Sequence, residues 1–516
     1  MSSIESNLLF GSSRLRNIEN QAKSLIEVAE ANIRQLTTQI GELTRVRERE
    51  RSVLATLRLF ILPIGKLPPE LLVEIFKIVV HTPLIVDSNM PSWGLIPGDS
   101  GPALQKVLRL SQVSPYWRQL VHSTPQLWAE GVVGVNLNKE LTDRYLDGLD
   151  TLLTRSSPYP ISMSIGRGSD ISAAPSKSSQ TLARNVASTA RRWENLQIDL
   201  DSLRHFNDLA PDTLEVLERL HVRNPRFAPV SDPILVFESS HRLRVFTLDA
   251  AASTIRLLRL PWLQLTHLQL HDASLVGCRT ALLQCGNLIW AKILTSYDWD
   301  SPSPATDSPV TILPFLSTLD LEFQGVPNFD EVHGVEAFFL PLALPSLKIL
   351  TLELDMNGEF WPTATFTDFQ SRSLNIEDFT LRCSEVNSQE LITLLRHSPA
   401  LRSLEIKHCR DCIDAAFFNA LCYEGTDSTP LVPKLDNLSL MYVGTFDNGP
   451  FEKAIRSRWW KDGEQILPDG STPRISRLKA VSVEFDDFDP DDRFDDDLKA
   501  RLQELVDQGL RLELNR

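Results

Sequence analysis

"NSQELITLLRHSPALRSLEIKHC", residues 387–409, contains the two periods that recur through most of the chain. In its first half Leu391, Ile392, Leu394 and Leu395 recur at three- and four-residue spacing, the pattern of a helix that buries one face. Then "LRSLEI", Leu401 to Ile406, changes period. Leu404 and Ile406 alternate with polar residues as in a short strand with both apolar side chains inward, and Leu401 fills the core below the preceding turn.

The same L-x-x-L-x-L template starts at Leu217, Leu243, Leu265, Leu316, Leu347, Ile376, Leu401, Leu435 and Leu478, with weaker copies at Trp193 and Leu288. Successive starts lie 22 to 43 residues apart. That is the spacing of a leucine-rich repeat, with longer loops late in the array. "LWAEGVVGVNL" and "YPISMSIG" read as degenerate leading copies, and "GLRLEL" as a final strand. Helical stretches such as "ASLVGCRTALLQCGN" lie between the strands and suit the outer wall of a horseshoe. No copy can bury its face alone, so residues 131–516 are expected to stack as an α/β leucine-rich-repeat solenoid whose inner face carries the polar strand residues. Those residues, among them Arg219, His221, His267, Asp320 and Glu405, mix charges without a dominant sign and name no ligand.

Residues 1–60 carry a different period. A seven-residue register places Leu15, Ala22, Ala29, Leu36, Leu43 and Leu57 at one core position and Ile18, Leu25, Val46 and Val53 at the other, with Asn32 and Gln39 interrupting the second set. This predicts a coiled-coil-like helix, within or between chains.

Between helix and repeats, residues 61–130 hold "KLPPELLVEIFKIVV" (66–80) and "LQKVLRLSQVSPYWRQLVHSTPQLW" (104–128), separated by a Pro/Gly-bearing loop over about 81–103. Pro68, Pro69 and Glu70 suit a first helical turn, and Pro115 predicts two short helices meeting there. The ordered set Leu67, Pro68, Glu70, Leu71, Leu72, Ile75 and Phe76, then Ser114, Trp117, Arg118 and Leu120, then "STPQLW", resembles an F-box. Followed by irregular leucine-rich repeats, it is similar to the F-box proteins common in mushroom-forming fungi. The resemblance implies an adaptor of a Skp–cullin–F-box ubiquitin ligase in protein degradation. In it Leu67, Pro68, Glu70, Leu71, Ile75 and Trp117 meet a Skp-type linker, and the repeats bind a target protein. The loop over 81–103 is longer than the family's usual spacing.

The totals agree with a protein-binding role. The net charge of −15 argues against a nucleic-acid or anionic-membrane surface. Six cysteines confined to Cys278–Cys422 do not make a disulfide framework, and the N-terminus lacks the pattern of a signal peptide, so a cytoplasmic or nuclear protein is expected. No apolar run approaches the roughly 18 residues of a membrane span. "HCRDC" (408–412) has C-x-x-C spacing, but no second pair completes a metal site, and Cys409 sits where the repeat itself calls for Asn or Cys. "EFDDFDPDDRFDDD" (484–497) lacks the glycine and terminal glutamate of a calcium loop, and "RSRWWK" (456–461) reads as local packing. With no catalytic constellation, no enzyme activity and no cofactor are expected. The remaining alternative to the adaptor is a ligase-independent leucine-rich-repeat interaction scaffold, with self-association possible through the N-terminal helix in either case.

Overall fold

A computed structural model describes residues 2–61, 63–81, 102–137, 143–166, 177–224, 233–252, 254–273, 275–295, 310–324, 336, 338–355, 361–383, 386–409, 411–423, 429–460, 475–485 and 496–515. The described residues form two compact units, one ending at Glu130 and one beginning at Gly131.

The first unit is helical: α1 (Ser2–Ile61), a 3-10 turn at Pro63–Lys66, α2 (Pro69–His81), α3 (Pro102–Val113), α4 (Pro115–His122) and α5 (Pro125–Ala129). The expected break at Pro115 separates α3 from α4. There Ser114 caps α4, its hydroxyl accepting the Trp117 N–H at 3.1 Å while Pro115 occupies the first turn, where its missing N–H costs nothing. Leu72, Phe76 and Val80 of α2 form a buried cluster with Val107 and Leu110 of α3, Val121 of α4, and Leu127 and Trp128 of α5. The Trp128 indole N–H donates to the Val121 carbonyl at 2.8 Å, so its polar atom enters the core satisfied. Most of the loop expected over 81–103 lies outside the described residues.

In the second unit a strand falls on every copy of the template. The strands are β1 (Val132–Asn136), β2 (Ile161–Gly166), β3 (Trp193–Asp199), β4 (Arg219–Arg223), β5 (Val245–Ala252), β6 (His267–Ala273), β7 (Trp290–Thr295) and β8 (Thr311–Ile312). They continue as β9 (Thr318–Gln324), β10 (Leu342–Ala343), β11 (Ile349–Asp355), β12 (Asp378–Arg382), β13 (Ser403–Lys407), β14 (Asn437–Val443), β15 (Ala480–Phe485) and β16 (Arg511–Asn515). All but β8 and β10, which pair with each other, form one 14-stranded parallel sheet in chain order, a solenoid-like repeat. Stacked rows of apolar side chains run across it. The row through Leu220, Phe246, Leu268, Ala291, Leu319 and Leu350 continues through Phe379, Leu404, Leu438 and Val481, every member buried. The leading leucines, such as Leu217, Leu316, Leu401 and Leu478, are fully buried beneath the turns.

The sheet begins one residue before the strands. The N–H of Arg244 reaches Glu218 O, that of Thr266 reaches Arg244 O, and the series continues through Ile289, Ser317, Lys348, Glu377, Arg402, Asp436 and Lys479 to Arg511. Helices return the chain between strands. The stretch over 387–400 forms the helix Ser388–Arg396, closed by a capping box in which Asn387 accepts the N–H groups of Gln389 and Glu390 and Glu390 accepts that of Asn387.

Three arginines tie irregular segments to this frame. Arg192 donates to the carbonyls of Tyr159 and Leu153, and Arg372 to those of Leu342, Phe339 and Leu340. Arg458, fully buried, donates to the carbonyls of Leu421 at 2.7 Å, Val432 at 3.1 Å and Leu431. Burial lowers its pKa to about 10, which leaves it charged at neutral pH. Cys409 is buried at the turn after β13 with its thiol toward the Lys407 carbonyl at 3.4 Å, the structural place its position in the repeat implies.

Candidate functional site

The helix α2 has two apolar faces. Leu72, Phe76 and Val80 lie on the one that enters the core. Leu71, Ile75 and Ile78 recur at four- and three-residue spacing on another side, where Leu71 is 52% and Ile78 is 65% exposed and Ile75 is half-buried. A small module whose core is already filled gains nothing for its own fold from this second stripe. Leu108 and Val113 of α3 and Tyr116 of α4 are exposed as well.

The six residues singled out from the sequence divide in their surroundings. Pro68 and Glu70 are exposed at the start of α2, where the Pro68 carbonyl accepts the Leu72 N–H at 3.1 Å. Leu71 and Ile75 stand on the outer stripe. Leu67 and Trp117 pack against the buried cluster, the Trp117 ring 4.7 Å from that of Phe76. The Trp117 indole nitrogen is buried with no hydrogen-bond partner among the described residues. Ile78 was missed by the sequence reading, although its three-residue step from Ile75 was a usable signal.

The second surface is the polar face of the sheet. Register aligns His221, Thr247, Gln269, Lys292, Asp320 and Thr351 in one row, which continues through Thr380, Glu405 and Ser439. Ion pairs neutralise part of it: Arg223 with Asp199 at 2.7 Å and Lys292 with Asp320 at 3.0 Å. Burial, then the positive charge of Arg223 and the neighbouring His271, bring the His221 pKa down to about 4, and neither of its ring nitrogens has a hydrogen-bond partner among the described residues. Burial and the Glu322 carboxylate hold Glu353 above the usual carboxylate range. The row is mixed in sign and suits a polar protein surface without selecting one.

Among the described residues no group of three or more His, Cys, Asp or Glu is placed to hold a metal ion, and no helix is long and apolar enough to cross a membrane. Of the acidic run, residues 486–495 lie outside the described residues.

No family model matches the chain, and no curated protein matches it. Similar solved structures include the crystal structure of the Rad7 and Elc1 complex in yeast, 13% identical, covering 80% of this chain and 98% of that one with a TM-score of 0.30. A likeness that loose carries no argument about function.

Proposed function

We propose that the chain is a non-catalytic substrate-recognition adaptor of a Skp–cullin–F-box ubiquitin ligase in the cytosol or nucleus. The helical module docks a Skp-type linker, and the polar face of the repeat sheet holds a target protein. The observation that carries this reading is the second apolar stripe of α2, Leu71, Ile75 and Ile78, which follows directly on the Leu67-Pro68-x-Glu70 motif and lies on a different side of the helix from the core residues Leu72, Phe76 and Val80. A fully buried Leu or Ile side chain is worth roughly 1.5–3 kcal/mol, so burying Leu71, Ile75 and Ile78 against a partner is enough for a hot spot. In the adaptor α1 acts as an arm that joins or spaces copies.

Titration of the full chain against a purified Skp-type linker tests this. The wild-type chain binds, and a Leu67→Ala/Pro68→Ala double variant with an unchanged circular-dichroism spectrum binds at least tenfold more weakly. A folded wild-type chain with no affinity for the linker removes the adaptor and leaves a leucine-rich-repeat scaffold.

A further inference from the structure

The helix α1 presents another unpartnered face, and its sequence specifies the partner more closely than that of α2. Every side chain described between residues 23 and 57 is exposed, Leu36 at 56% and Leu43 at 69%. The helix is unbroken across them. The register through Leu25, Asn32, Gln39 and Val46 leaves Ile26, Ile33 and Ile40 outside the seam, although all three are as exposed as its members. Keeping Ala29, Leu36, Leu43 and Leu57 and moving only the other core set on by one residue places Ile26, Ile33, Ile40 and Leu54 at position a. Position d is then Ala29, Leu36, Leu43 and Leu57, and no polar residue interrupts the seam from Ile26 to Leu43.

We infer that α1 pairs with α1 of a second copy of this chain as a parallel, in-register, two-stranded coiled coil along this seam. Three features point to that occupant. First, the stripe repeats every 3.5 residues and so rotates about 20° per heptad on a straight α-helix; a partner helix winding left-handed follows it, and a flat protein surface does not. Second, β-branched residues at a with leucine at d favour two parallel strands.

Third, the two charged residues in the seam are complementary to themselves. Arg47 stands at a and Glu50 at the next d. In a parallel pair a knob at a enters a hole bordered by the partner's a residue and its following d residue, so the two Arg47 share one layer and the two Glu50 the next. Each Arg47 meets the partner's Glu50 between them, a ring of two positive and two negative charges. A slip by one heptad sets both charges against apolar layers, which makes the pair a register key. Among the described residues the Arg47 guanidinium reaches the adjacent Glu48, at 3.1 Å in an exposed pair of little worth. The flanking residues Glu30, Thr37, Thr44 and Arg51 face Leu25, Asn32, Gln39 and Val46 of the partner, so no like charges meet at the flanks of the seam. A dimer of this kind carries two helical modules and two repeat sheets on one arm, and a bivalent target gains affinity by effective concentration.

Sedimentation of the full chain tests the inference, whatever the helical module binds. The expected mass is twice 58.2 kDa. Arg47→Glu makes all four charges of the two layers negative and weakens the dimer at least tenfold, and adding Glu50→Arg restores the alternation and the dimer. With Leu43→Cys, mild oxidation gives a covalent dimer, whereas Glu42→Cys on the back of the helix does not. Circular dichroism confirms that each variant keeps its helix. A single-chain mass at tens of micromolar, a charge swap that fails to restore pairing, or equal crosslinking at residues 42 and 43 would overturn the proposal.

Discussion

His221 is the residue whose charge state the fold controls most visibly. In an unfolded chain it titrates near 6.5, and in the sheet near 4. Between those values the unfolded state takes up a proton that the folded state refuses, so the stability it contributes is complete above about pH 6.5 and is lost as the pH falls toward 4. A gap of that size corresponds to about 3 kcal/mol at the low end. Hydrogen exchange of β3 to β5, corrected for intrinsic rates, should show opening easier by about 2–3 kcal/mol at pH 4.5 than at pH 7, with most of that difference gone in His221→Gln. Arg458 makes the opposite case, a buried charge kept by its bonds. Removing it in Arg458→Met leaves three carbonyls without their donor, and local opening of the helix Asn448–Ser457 is expected to become easier by about 3 kcal/mol or more. Arg458→Lys should recover little of this, because a single ammonium cannot span the fork.

At the scale of elements, the caps decide where helices begin. Asn387 accepts two N–H groups, and Ser388 beside it donates at 2.7 Å to Asp414, which in turn caps the next helix by accepting the Phe417 N–H. Asn387→Ala therefore removes a capping box and weakens a link between successive repeats. A loss of about 1–2 kcal/mol in the protection of residues 388–396 by hydrogen exchange is expected. The strands were legible in advance because each copy of the template combines a period of two with a leading leucine, two signals that local sequence alone can carry. The helix break at Pro115 was legible for the same reason. The arginine ties were not, since Arg192, Arg372 and Arg458 bond carbonyls 26 to 39 residues away and no spacing announces them. The heptad period of α1 was legible in the sequence; the unbroken helix and the exposure of both sets show that its stripe is not covered within the chain, whereas the preference for Ile26-Ile33-Ile40 over Leu25-Asn32-Gln39 rests on the polar residues of the latter. On α2 the motif led to Leu71 and Ile75, whereas Ile78 emerged only once the core had claimed Leu72, Phe76 and Val80.

Among the described residues, each strand of the sheet pairs only with the strands of neighbouring repeats, and the ladder from Glu218 to Arg511 has no bond that skips a neighbour. Stability in such an array is a sum of repeat terms and nearest-neighbour interfaces, so damage should spread by distance along the sheet instead of appearing everywhere at once. Leu404 tests this well: it is fully buried in β13 with Phe379 on one side and Leu438 on the other. Leu404→Ala costs roughly 2–5 kcal/mol by lost burial and the cavity it leaves. Hydrogen exchange should place the loss in β12 to β14, at amides such as Arg402 and Asp436, with a smaller change in β11 and β15 and almost none in β3 to β5. Urea unfolding followed by tryptophan fluorescence and by circular dichroism should then give transitions that do not coincide. An equal loss of protection in all fourteen strands would mean that the sheet opens as one cooperative body, with interface terms between repeats far larger than any single leucine supplies.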